Sequence, residues 1–194
     1  AAQPAVAAVG VDGVVNYFTN GFDTSTKGIY LVATYKVDAG AAGDFNTTLA
    51  YNYNQSTVDK YNPDVISPAQ IVDVARLAPA GRGNIAVAWF FGDLTVTGRE
   101  NFYGSWRDEV DYSGQVFGAK VTTDLDISYK MNNYTISAGA TNLFNTYPDK
   151  IANSSSNTLY QLTGSTADGQ IYPRSGGPFG INGGVWYLRL TAKY

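Results

Sequence analysis

Several segments of this chain alternate apolar and polar side chains with period two, the pattern of a strand whose two faces meet different surroundings. From Asp44 to Asn54 one face carries Phe45, Thr47, Leu49, Tyr51 and Tyr53. The other carries Asn46, Thr48, Ala50, Asn52 and Asn54. From Thr123 to Met131, Leu125, Ile127, Tyr129 and Met131 oppose Asp124, Asp126, Ser128 and Lys130. Further runs are Ile29 to Val37, Ile85 to Phe91, Tyr134 to Thr141, and Trp186 to Tyr194, where Trp186, Leu188, Leu190, Ala192 and Tyr194 share a face. A seventh, Leu94 to Trp106, carries Leu94, Val96, Gly98, Phe102 and Trp106 but also Glu100 on its apolar side. That charge predicts either a bulge near Gly98 or a strand that has left the apolar layer by that point. The pattern predicts an all-β chain of about seven strands.

The connections are unequal. Ala39 to Gly43, Gly92-Asp93 and Asn132-Asn133 are short and carry residues that tight hairpins need. The stretches 59–81, 107–119 and 148–183 are long and polar. Within the first, Ser67 as cap, Pro68 at the first turn and Gln70 three residues after the cap precede Ile71, Val72, Val74, Ala75 and Leu77, which predicts a short helix. Alternation alone fits a soluble β-sandwich as well as a membrane barrel. Soluble strands usually run about 5 or 6 residues, and these patterned stretches last about 9 to 12, the length a tilted membrane strand needs. Short turns at one end and long loops at the other also suit an outer-membrane barrel. In that setting Asp124, Asp126, Lys130 and Arg189 face the lumen, because a Lys or Arg turned to lipid costs roughly 2–4 kcal/mol near the midplane.

Composition narrows the chemistry. Charged residues are 15% of the chain against roughly 25% in an ordinary soluble domain, while 3 Trp, 15 Tyr and 9 Phe make it rich in aromatics. With no His and no Cys, histidine triads, thiol nucleophiles, imidazole metal sites and disulfides are excluded. Thirteen basic residues against 16 acidic ones, scattered singly, offer no nucleic-acid face. The longest apolar run, Ile85 to Phe91, is far too short for a membrane-spanning helix, and Ala1-Ala2-Gln3-Pro4 lacks a signal peptide's basic start. Asp108, Glu109 and Asp111 lack calcium-loop spacing and read as a solvated acidic loop. Gly81-Arg82-Gly83 lacks the Lys-Ser/Thr of a phosphate loop and reads as the end of a loop. Neither an enzyme nor a cofactor is expected.

Particular residues resemble a known family. Gly139-Ala140-Thr141-Asn142-Leu143-Phe144-Asn145, followed by Tyr147-Pro148, resembles the segment before the final loop of TonB-dependent outer-membrane receptors. Gly183 to Tyr194 looks like their last strand, and Phe18 to Gly28 followed by Ile29-Tyr30-Leu31 is similar to a strand-opening pattern in the same barrels. The resemblance implies that residues 1–194 form the C-terminal portion of a 22-stranded barrel in a bacterial outer membrane. The plug domain and the N-terminal strands would lie outside these residues. The chain would start in an extracellular loop near Ala1 to Val11 and end on the periplasmic side, which needs an odd number of crossings. The implied activity is active import of a scarce large solute, such as an iron-siderophore complex, cobalamin or a glycan. Implied partners are the rest of the receptor, outer-membrane lipid, the imported solute, and the TonB complex acting through the missing part. Trp186, Leu188, Leu190 and the terminal Tyr194 would form the barrel-assembly signal.

Candidate solute contacts are polar residues toward the loop end, Asn52, Asn54, Arg99, Asn101 and Tyr103, with loop aromatics Tyr160, Tyr172 and Phe179. Amides and aromatics suit sugars and catechol rings equally. The alternative is a small independent outer-membrane or adhesin-like barrel with a binding or structural role, which would require the first patterned strand to pair with the last.

Overall fold

The computed structural model describes residues 20–152, 171–173 and 177–193. The patterned segments form strands β1 (Phe22–Asp38), β2 (Asp44–Tyr61), β3 (Gly81–Phe91), β4 (Leu94–Tyr103), β5 (Lys120–Met131), β6 (Tyr134–Thr141) and β7 (Val185–Ala192). Helix α1 (Pro68–Arg76) lies between β2 and β3. All seven strands belong to one antiparallel sheet, in the order of the sequence. β1 pairs only with β2 and β7 only with β6, so the sheet is open, with β1 and β7 at its edges.

The hairpins turn where the short polar signals stand. Gly92 at φ 58° and Asn132 at φ 50° occupy the left-handed conformation at the first turn position, a place suited to Gly and Asn. The first hairpin takes a short 3-10 turn, Gly40–Ala42, with the Gly40 N–H donating to the Asp38 carboxylate at 2.8 Å.

Register puts every apolar set on the same side. The row Val37, Phe45, Trp89, Val96, Ile127, Ala138 and Leu188 crosses all seven strands, and so does the row Tyr35, Thr47, Val87, Gly98, Leu125, Ala140 and Trp186. One face of the sheet is therefore continuously apolar, with aromatics at both of its ends. Phe45, Trp89, Phe91, Tyr129 and Tyr134 lie toward the short turns, and Tyr51, Tyr53, Phe102 and Trp186 toward the long loops. Trp89 stacks with Phe45 and Phe91 at centroid distances of 6.2 and 5.7 Å, and its indole N–H donates to the Ala42 carbonyl at 2.8 Å.

The apolar face is bare. Ile29, Tyr35, Trp186 and Leu188 are 72%, 70%, 71% and 79% exposed. Among the described residues the buried apolar side chains are Trp106, Phe117 and Ala140 with the loop prolines Pro79, Pro148 and Pro173, and only Ala140 belongs to the sheet.

The turns are staggered. Measured from the row through Val37, the strands end one residue further on at Asp38, two beyond Trp89 at Phe91, and four beyond Ile127 at Met131. Between the second and third hairpins the offset is one residue per strand. With a rise of about 3.3 Å per residue and strands about 4.8 Å apart, a line through those turns lies about 35° from the perpendicular to the strands.

One branch of an expectation is excluded, and the readings of Trp106 and of Gly81-Arg82-Gly83 are corrected. The pairing of β4 with β3 and β5 runs without a register shift from Leu94 to Tyr103, so there is no bulge at Gly98. Glu100 stays on the apolar face, next along that face to Phe102, where its carboxylate accepts the Thr123 hydroxyl at 2.9 Å. β4 ends at Tyr103, and Trp106 instead forms an isolated bridge with Phe117. Gly81-Arg82-Gly83 does not end a loop but starts β3.

Candidate functional site

The polar face of the sheet gathers most of the predicted contact residues. Asn52 and Asn54 come from β2, and Arg99, Asn101 and Tyr103 from β4. β3 runs between them, so the register interleaves Arg82 between Asn52 and Tyr103, and Asn84 between Ala50 and Asn101. The result is an open depression of about 240 Å³ whose polar lining includes Tyr30, Asn52, Arg82, Asn84, Asn101 and Tyr103. Arg82 also borders a second depression of about 550 Å³, together with Asp73, Val74 and Leu77 from α1 and its end, and Gly177-Pro178.

The amides are partly committed. Asn54 donates to the Asn52 side-chain oxygen at 2.7 Å, and Asn101 donates to Asp124 at 2.9 Å. Arg99 sits level with Asp124, two residues further from the loops than Asn101, and outside the depression. Phe179 joins the site by packing on Tyr103 at 5.1 Å. Tyr172 does not, because it stacks on Tyr147 at 5.2 Å. Tyr160 lies outside the described residues, as does Tyr194. Trp186, Leu188 and Leu190 share the bare apolar face of edge strand β7.

The loop end is built by side chains. Trp106 and Phe117 stack at 4.0 Å and their backbones exchange two hydrogen bonds of 3.0 Å. Tyr112 meets Phe117 edge-on at 5.7 Å. Helix α1 begins as expected, with Ser67 and Gln70 forming a reciprocal capping box. Asp73 on α1 then accepts the Glu109 and Val110 N–H groups at 2.5 and 3.3 Å, and the Arg107 N–H donates to the Arg76 carbonyl at 2.9 Å. The helix is thereby tied to the 104–119 loop.

Asp108 corrects the reading of a solvated acidic loop, because it is 2% exposed. Its Oδ1 accepts the Asp111 N–H at 2.9 Å, while Oδ2 is buried without a hydrogen bond. Burial pushes this carboxyl above the usual carboxylate range, and the nearby Asp111 and Asp73 charges add to the rise against the lowering Asp111 N–H bond. Glu109 and Asp149 move the other way. The Ser113 hydroxyl and Gly114 N–H hold Glu109 low, and the Lys120 ammonium at 2.6 Å and the Gly118 N–H hold Asp149 low. Among the described residues no group of three or more carboxylates is arranged to hold a metal ion.

The Asn142-Leu143-Phe144-Asn145 segment has a clear physical role. Asn142 and Asn145 adopt φ of 52° and 58°, which Asn tolerates better than most residues. Asn142 donates to the Thr146 carbonyl at 2.7 Å and accepts its N–H at 2.8 Å, while its own N–H donates to Asp124 at 2.9 Å. Asn145 accepts the Gly184 N–H at 2.9 Å, one residue before β7. A Cβ on Gly183 would stand 2.3 Å from that Asn145 oxygen and 2.4 Å from the Tyr147 hydroxyl. The segment thus clamps the end of β6 to the start of β7.

No protein-family profile matches this chain, and no curated protein matches its sequence.

Three residues of the depression, Tyr30, Arg82 and Asn84, escaped sequence reasoning. Arg82 stands between two glycines at the start of β3, where no apolar alternation marks the strand. Extending the odd-numbered apolar set Ile85, Val87, Trp89 and Phe91 back by two residues, which leaves Asn84 and Arg82 on the opposite face, was the signal that could have placed it.

Proposed function

We propose that this chain is the closing part of the transmembrane barrel of a TonB-dependent outer-membrane receptor, serving the binding and import of a scarce, large solute. The observation that carries the proposal is the one-sided sheet. An apolar face spans seven strands, carries aromatics at both ends, and has no second layer over it among the described residues. A soluble sandwich would pack that face against another sheet about 10 Å away. Lipid is the solvent that such a face matches, and aromatic girdles at two levels are a mark of outer-membrane barrels.

The turn stagger supports the same reading. With the second and third hairpin tips at a common level the strands tilt by about 35°, at the edge of the roughly 35–45° of such barrels, and the smaller offset between the first and second gives a shallower angle. Two open edges in hydrocarbon must pair with further strands, since backbone groups unpaired there are costly. The small independent barrel is less favoured, because β1 and β7 lie at opposite edges and do not pair. The solute would meet the polar, lumenal face near its loop end.

The chain has no cysteine, so single cysteines introduced along β5 can each carry a spin label. In the native membrane, labels at Leu125, Ile127 and Tyr129 should be relaxed by oxygen dissolved in lipid. Labels at Asp124, Asp126 and Ser128 should respond to a water-soluble nickel reagent. Recovery of the protein from the soluble fraction, or equal shielding of both faces from both reagents, would overturn the barrel and favour a sandwich.

A further inference from the structure

The geometry points to Arg82 as the anchor for an acidic sugar, a hydroxylated ring bearing a carboxylate or phosphate, and this assignment rests on the lumenal reading of the polar face. Arg82 lies where the two depressions of the polar face meet. The ion pairs among the described residues are Arg107 with Glu109 and Lys120 with Asp149, so Arg82 has none there. Two carboxylates of this region, Asp124 on the neighbouring β5 and Asp73 on the rim of the depression that Arg82 also borders, hold other hydrogen-bond partners. Asp124 accepts Asn101 and the Asn142 N–H, and Asp73 accepts two backbone N–H groups of the 104–119 loop. On the sheet, Asn52 and Tyr103 flank Arg82, and Lys120, which follows Tyr103, is paired with Asp149, so Arg82 is the cation of that row without an ion-pair partner among the described residues.

A guanidinium offers paired N–H donors matched to the two oxygens of a carboxylate or phosphate. The amides of Asn52, Asn84 and Asn101 both donate and accept, as sugar hydroxyls require. Tyr30 and Tyr103 present flat rings against which a sugar face packs. Neutral sugars would use the amides and rings but leave the arginine unmatched, so charge is the discriminating feature.

The test uses the protein isolated from its own outer membrane in detergent micelles, titrated calorimetrically with D-glucuronate, glucose 6-phosphate and D-glucose. The two anions should bind about tenfold or more tightly than glucose, with the ratio shrinking as salt rises. Which anion binds more tightly identifies carboxylate or phosphate as the preferred group. Arg82→Gln should erase the preference for the anions over glucose, and Arg82→Lys should keep part of it, because charge survives without the fork. Arg82 is exposed, so neither change threatens folding. Equal binding of glucose and glucuronate, no binding of either anion, or unaltered anion binding in Arg82→Gln would overturn the assignment and leave the barrel intact. A protein absent from the outer membrane would overturn the barrel, and the assignment with it.

Discussion

At the short-turn end of the sheet the chain reverses within a few residues, held by backbone hydrogen bonds and by turn residues in left-handed conformations. At the loop end it wanders through α1 and the 104–119 segment, and the order there comes from packing. Trp106 and Phe117 are buried, Asp73 ties helix to loop, and Asp108 is enclosed with one oxygen unmatched. The two ends thus rely on different forces. The turns depend on local backbone geometry and tolerate exposure. The loop end contains the closest thing to a core among the described residues, and it is built from aromatics that the strand periodicity did not connect.

The sharpest way to break this contrast is Phe117→Ala. A buried Phe truncated to Ala costs about 3–5 kcal/mol, so amide hydrogen exchange should accelerate across the 104–119 loop and the C-terminal turn of α1. Exchange at the Gly92 and Asn132 turns should stay as it was. If those turns loosen equally, the two ends are one cooperative unit and the contrast fails.

Gly43→Ala is the converse. Gly43 has φ 86°, and a Cβ there would lie 2.2 Å from the Phe90 carbonyl oxygen, a backbone atom that cannot swing aside. We expect a loss of about 1–3 kcal/mol, read as faster exchange at Ala39 and Ala42 with the loop end unaffected.

Asp108 sharpens the comparison through pH. Its carboxyl is raised in the folded state, so the stability it contributes is complete below the unfolded value and disappears as pH rises through the folded one. Loop protection attributable to Asp108 should therefore fall between acid and neutral pH. Asp108→Asn keeps an acceptor for the Asp111 N–H and should abolish that slope. Glu109 and Asp149 act in the opposite sense, their stabilisation being lost as pH falls through their lowered values. A slope unchanged in Asp108→Asn would show that this carboxyl is not its source.

The smallest effect is expected between the two ends. A Cβ on Gly98 meets nothing within 4 Å, so Gly98→Ala should be neutral or stabilise β4 by up to about 1 kcal/mol through the unfolded chain. A marked loss would mean that the apolar face is covered at that point.

The strands were legible where one face is apolar. β6 occupies Tyr134 to Thr141 as the alternation predicts, and the turns at Gly92 and Asn132 fall on their signals. β1 and β2 were underestimated at their loop ends, where Phe22 to Gly28 pairs with Asn54 to Tyr61. Apart from Phe22, Val58 and Tyr61 those residues are polar on both faces and bond across the strands, as Thr26 does to Ser56 at 2.8 Å, so no contrast of faces marks them. The capping box of α1 was legible because it is complete within four residues. Asp108 was misread, because four acidic or basic residues within five positions look solvated until the segment is tied to α1 by Asp73 and the Arg76 carbonyl.

What the sequence determined by itself is therefore the strand set, the hairpin turns, the helix start and the sidedness of each strand. All of these are set within a few residues by backbone preference and by the affinity of each side chain for water. Only the tertiary structure decided that all seven apolar faces align, that β1 and β7 stay apart, and that Arg82 lies between Asn52 and Tyr103. Those outcomes depend on strand order and register, and both follow from pairings between residues far apart in the chain.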